Sequence, residues 1–196
     1  MNSISNLSSE ISVRNADDCV LLPVGIPKGT ARSGNGQAAG YVILRGGELY
    51  YLTPQQLFIW NECWKLARTK DLILDATANL SIAEADVQNI IEDLVKEHLL
   101  VSVSEPVPWH ELKSLRPVPL TDVPEIGDKA DKSQMFSLKD AMSYYFWLRF
   151  DGRTTLGTMV GEFTSNSKDI NPLQAERACL DLLFLAVKME AILLDI

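Results

Sequence analysis

Residues 53–72 can be laid over residues 137–156 at a constant spacing of 84 without a gap, and what repeats is a pattern of apolar positions and caps. Thr53 falls on Ser137, Leu57 on Ala141, Trp60 on Tyr144, Trp64 on Leu148, Leu66 on Phe150 and Leu72 on Leu156. After a nine-residue insertion the spacing becomes 93, so that Val87 meets Leu180, Ile90 meets Leu183, Ile91 meets Phe184, Leu94 meets Val187 and Leu99 meets Ile192. A chain of 196 residues is long enough for one large domain or two small ones. The repeat favours two, a diverged internal duplication; the competing reading is that any two short helical units align tolerably.

Within the first unit the local signals are dense. Apolar clusters at Cys19–Ile26 and Tyr41–Leu44 read as strands, with the Gly-, Ala- and polar-rich stretch 28–40 as a flexible loop between them. Gly46-Gly47 supplies the positive φ angles of a tight turn, which makes 41–52 a hairpin. Thr53, Pro54 and Gln56 form an N-cap, a first-turn proline and a capping box, and Leu57, Trp60, Cys63, Trp64 and Ala67 continue as a helical stripe to about Arg68. A shorter apolar pattern follows at 72–76. Ser81 and Glu84 then read as a second capping box, opening a third helix from Ile82 with the stripe Ile82, Val87, Ile90, Ile91 and Leu94, and Leu99–Val103 reads as a closing strand.

The resulting division is a flexible tail over 1–17, a first unit over 18–103, a proline-rich acidic connection over 104–134 and a second, more helical unit over 135–196. The connection carries Pro106, Pro108, Pro117, Pro119 and Pro124 with Asp122, Glu125, Asp128 and Asp131. Hairpin, three helices and closing strand make a winged-helix-like unit, so the expected class is α+β, two such units in tandem, each with helices and a small antiparallel sheet.

In the second unit, Phe136-Ser137-Leu138, Tyr145-Phe146-Trp147-Leu148 and Phe150-Asp151-Gly152-Arg153-Thr154-Thr155-Leu156 carry a family likeness. This stretch resembles the peptide chaperones typified by the small protein of pyrroloquinoline quinone biosynthesis, also called recognition elements of ribosomally made, post-translationally modified peptides. Their pattern of a helix, an Asp-Gly-x-x-Thr turn, a short helix and a long helix ending in a Leu-rich strand is followed by 136–195. Residues 41–103 follow it less closely, with Arg68-Thr69-Lys70-Asp71 in place of the turn. The resemblance implies a non-catalytic adaptor that binds a precursor's leader by strand addition, where main-chain hydrogen bonds give affinity and alternate side-chain pockets give selectivity. Carried onto the first unit, the leader-binding residues are Glu48, Leu49, Tyr50 and Tyr51 on the edge strand and Val87, Ile90, Ile91 and Leu94 on the third helix. The resemblance extends to two-component peptide oxidases of the methanobactin type. It thus implies as partners the leader peptide and a modifying enzyme such as an iron-dependent oxidase, with no cofactor held on this chain.

Several residues carry a second reading. Tyr50 and Tyr51 point to opposite faces of a strand, so one belongs to the core and the other is available. Only Asp181 is charged from Ala178 to Val187, a helix apolar on more than one face, so something covers its second face: the first unit, a twin chain or a partner enzyme. Leu182, Phe184 and Leu185 there, with Trp109 in the connection, are the candidate partner interface.

The formal charge of −8 argues against a nucleic-acid binder. Residues 71–79 and 82–97 carry seven acidic residues and one lysine, which weakens the alternative of a winged-helix transcription regulator. His98 and His110 are the only histidines, and no metal-ligand spacing appears. Gly34, Gly36 and Gly40 precede a strand where a phosphate loop would need a helix. We therefore expect no catalytic residues and no metal. Three scattered cysteines suit a reducing compartment, hence the cytoplasm, and no apolar run approaches the roughly 20 residues that cross a bilayer.

Overall fold

A computed structural model describes residues 19–32, 38–104, 109–120, 141–167 and 170–196. Five features of the sequence reading lie outside them: the tail, Gly34 and Gly36, the acidic cluster from Asp122 to Asp131, Pro106, Pro108 and Pro124, and the stretch from Phe136 to Leu138. The chain is α+β with small antiparallel sheets.

The first half holds β1 (Val20–Pro23), β2 (Ile26–Arg32), β3 (Ala38–Arg45), β4 (Glu48–Leu52), α1 (Pro54–Glu62), a 3-10 turn (Cys63–Lys65), α2 (Thr69–Leu80), α3 (Glu84–Lys96) and β5 (Leu100–Val103). The second holds α4 (Trp109–Leu112), β6 (Arg116–Pro119), α5 (Ala141–Trp147), α6 (Leu156–Asn166), α7 (Pro172–Lys188) and β7 (Ile192–Asp195). β2, β3 and β4 form one sheet in that order, while β1 pairs with β5 and β6 with β7.

Local chemistry explains much of this. Gly46 and Gly47 sit at φ 55° and 88°, the conformation a two-residue hairpin demands. Thr53 Oγ1 accepts from the Gln56 amide at 3.2 Å and the Gln56 side chain accepts from the Thr53 amide at 2.9 Å, so the capping box is complete. Elsewhere the chain departs from the sequence reading. β2 runs through Lys28 and Gly29, so much of the supposed loop is strand, broken by two register shifts. α1 stops at Glu62, because the chain tightens into a 3-10 turn and Leu66 turns left-handed. Ser81 ends α2 at φ 53° and cannot also cap the next helix; α3 starts at Glu84 behind Ala83. The connection contains α4 and β6, which belong to the second half through the β6–β7 ladder.

The two halves repeat one arrangement down to single hydrogen bonds. Val20 pairs with Val103 and Pro23 with Leu100; correspondingly Arg116 pairs with Asp195 and Pro119 with Ile192. The Val24 amide donates to Leu99 O and the Leu120 amide to Ala191 O, both at 2.9 Å. The Thr69 amide donates to Cys19 O at 2.8 Å, and the Leu156 amide to Leu115 O at 3.0 Å. These bonds correct the spacing. Ile59, Trp60, Cys63, Leu72 and Ile73 correspond to Phe146, Trp147, Phe150, Met159 and Val160, all buried, three residues later than the sequence overlay. Three residues is close to one helical turn, which leaves an apolar stripe on the same face, so the stripe alone could not reveal the slip. In α3 and α7 the overlay is out by one: Val87, Ile91 and Leu94 correspond to Cys179, Leu183 and Ala186.

The pair β1 and β5 stands between two cores. Leu21 and Leu100 enter the first, with Ile43, Leu52, Trp60 and the α3 stripe. Leu22, Val24 and Val103 enter the second, with Phe146, Leu156 and α7. The second apolar face of α7 is thus covered within the chain, and Trp64 packs against both cores. Gly25 links β1 to β2 at φ 113°, where a Cβ would lie 2.2 Å from Ile43 Cγ2, and its amide donates to Leu194 O at 2.6 Å.

Candidate functional site

β4 is an edge of its sheet. In a two-residue hairpin the flanking pair, Arg45 with Glu48, is hydrogen-bonded, and bonded and non-bonded pairs then alternate. Ile43–Tyr50 and Tyr41–Leu52 are therefore bonded inward, whereas the amides and carbonyls of Leu49 and Tyr51 point away from β3. Neither has a backbone partner elsewhere among the described residues. Their side chains are 54% and 60% exposed, an unusual apolar pair on an open edge.

On the other strand face Tyr50 is half-buried against the first core, so the two tyrosines divide between core and solvent as expected. Arg45 holds Tyr50 in place: its guanidinium lies 4.8 Å from the ring centre, one nitrogen donates to the Tyr50 hydroxyl and another to Glu97 O at the end of α3. The hydroxyl donates to Glu48 at 2.9 Å, and this bond to a carboxylate raises the phenol above its ordinary pKa, with desolvation adding to the rise and Arg45 opposing it. The Gly46 amide donates to Asp195 at 2.8 Å, so the hairpin tip leans on the end of β7.

The helix half of the expected site does not stand. Val87, Ile91 and Leu94 are buried in the first core, and only Ile90 remains partly accessible. An amphipathic stripe marks the covered face of a helix without saying what covers it; here the molecule's own sheet and helices do. The apolar recess beside the edge lies instead against α1. It is a cavity of about 310 Å³ floored by Thr30, Tyr41 and Leu52, which stand side by side across three strands, and walled by Pro54 and Leu57. Sequence reasoning missed it, since Thr30 lies in the stretch taken for a loop.

The partner-interface residues divide similarly. Leu182 is 3% exposed inside the second core and unavailable to a partner. Trp109 and Phe184 are partly buried against the same core, and Leu185 is exposed. Met189, one turn beyond Leu185, and Leu148 are further exposed apolar residues the stripe did not single out.

The second half's ladder is closed to strand addition. Pro117 O accepts from the Gly152 amide, so that side of Pro117 faces away from β7, as does that of Pro119 two residues on, and neither residue has an amide to offer. The outer side of β7 is engaged through Leu194 O and Gly25. The Asp-Gly-x-x-Thr turn is a local device. Asp151 Oδ1 accepts from the amides of Arg153 and Thr154, each at 2.8 Å, Gly152 takes φ 70°, and Thr155 caps α6. Partial burial pushes the Asp151 carboxyl up, but the bonds from Thr154 and Arg153 outweigh it and hold the carboxyl below its ordinary value.

Among the described residues no three His, Cys, Asp or Glu side chains converge on a common point, and no helix is long and apolar enough to cross a membrane. Comparisons with protein-family models, with curated proteins and with solved structures returned no match.

Proposed function

We propose that this chain is a non-catalytic adaptor of two winged-helix-like units in tandem, which takes the leader of a ribosomally made precursor peptide as an added strand on β4 and presents the rest to a partner modifying enzyme. The observation that carries the reading is the open edge itself: outward amides and carbonyls at Leu49 and Tyr51 beside exposed apolar side chains, next to an apolar recess. The closed ladder of the second half supports a division of labour in which Leu148, Leu185 and Met189 meet the enzyme. The acidic outer surface of α3, with Glu84, Asp86, Glu92 and Asp93 exposed, favours a peptide over a phosphate backbone.

The test is a gentle pull-down of the tagged chain from its own cells, with large and peptide-sized partners identified by mass spectrometry. We expect one short precursor and one modifying enzyme, an iron-dependent oxidase being the specific expectation. Recovery of DNA alone, released by salt, would replace the adaptor with a transcription regulator.

A further inference from the structure

We infer that the strand received by β4 runs antiparallel to it and carries a bulky apolar side chain four positions before a lysine or arginine. The inference rests on strand addition at β4 and adds what is read there. Bonds from Leu49 and Tyr51 to an incoming strand leave its residues opposite Leu52, Tyr50 and Glu48 in non-bonded pairs, where facing side chains approach most closely. These are the positions at which side chains are discriminated.

The two ends of that row differ in chemistry. At Leu52 the incoming side chain meets the recess of about 310 Å³ walled by Pro54 and Leu57, which suits an aromatic or large aliphatic group. At Glu48 it meets an exposed carboxylate, one oxygen of which accepts from the Tyr50 hydroxyl. Arg45, which stands across from Glu48 on β3, is turned inward onto Tyr50 and the Glu97 carbonyl, and Asp195 faces Arg116 across the β6–β7 ladder and the Gly46 amide. The charge offered outward is therefore that of Glu48, with Asp93 on the last turn of α3 and Glu97 just after it also exposed, in a chain of net charge −8. A cation opposite Glu48 is the complementary cross-strand partner. Every strand pair among the described residues is antiparallel, the more stable pairing, and in that direction the residue at Leu52 precedes the residue at Glu48 by four.

The test measures fluorescence anisotropy of the full chain with labelled nine-residue peptides of Thr, Ser and Val bearing Phe at the third position and Lys at the seventh. We expect binding that weakens about tenfold when Phe becomes Ser or Lys becomes Glu, and a Glu48→Lys chain that prefers the Glu peptide. The same composition in reverse order binds more weakly. If N-methylation of the peptide amides abolishes binding while the Phe and Lys exchanges change it less than about twofold, strand addition survives and the reading of side chains falls. If N-methylation has no effect, or no peptide binds, both fall. A reversed peptide that binds more tightly overturns the direction.

Discussion

His98 and Glu190 end their helices in the same left-handed conformation, at φ 53° and 51°. Each is followed by a residue whose amide reaches back to the helix, Leu99 to Leu94 O at 2.8 Å and Ala191 to Ala186 O at 2.9 Å. This closure is where glycine is usual, yet both positions carry a side chain. His98→Gly and Glu190→Gly should each raise unfolding stability by about 0.5–1 kcal/mol, read from urea midpoints at constant m-value. A loss in either variant would mean that the side chain makes up the backbone cost.

Tyr50 and Tyr51 are separated by proline scanning. The Tyr51 amide points outward, so Tyr51→Pro should leave the hairpin folded and weaken peptide binding by about tenfold or more. The Tyr50 amide is bonded to Ile43, so Tyr50→Pro should unfold the sheet, lowering stability by about 3 kcal/mol. Circular dichroism beside a binding isotherm distinguishes the two.

Thermal scans at descending pH should show the Asp151 turn. Its carboxyl titrates lower in the folded chain than in the unfolded one, so its contribution is complete above the unfolded pKa and is lost as pH falls through the folded pKa. Asp151→Ala should cost about 1–2 kcal/mol near neutrality and make the melting temperature less steep in that acid range.

Thiol titration should resolve the three cysteines. Burial, helped by Glu62, pushes Cys63 well up, and burial pushes Cys179 up to about 12, whereas Cys19 is only half-buried. One thiol should react quickly with an aromatic disulfide in the native protein and the other two only after denaturation. Loss of the fast phase in Cys19→Ser checks the assignment.

Trp60 carries a buried polar duty in the first core. Its indole N–H donates to Val24 O at 3.3 Å and Leu99 O at 3.1 Å, joining β1 to the turn before β5. Trp60→Phe should destabilise by about 2 kcal/mol, since Val24 O is left without that donor.

What the sequence made legible follows a physical divide. The hairpin at Gly46-Gly47 and the box at Thr53 and Gln56 are decided by neighbouring residues and stand as read. Ser81 misled because one residue can serve the end of a helix or the start of the next, and only backbone conformation decides. The edge strand was legible because Glu48–Leu52 follows a tight turn, while Val87, Ile91 and Leu94 were not, because being on an apolar face is the same signal for core and for groove. β6 was hidden by Pro117 and Pro119, which argue against a strand except at an edge.

The β1–β5 wall, with Leu21 and Leu100 on one side and Leu22 and Val103 on the other, removes independence from the halves. Severing the chain between them would strip Leu22, Val24 and Val103 of their cover, so loss of the second half should destabilise the first. The two halves share one wall, and a single melting transition is the expected behaviour.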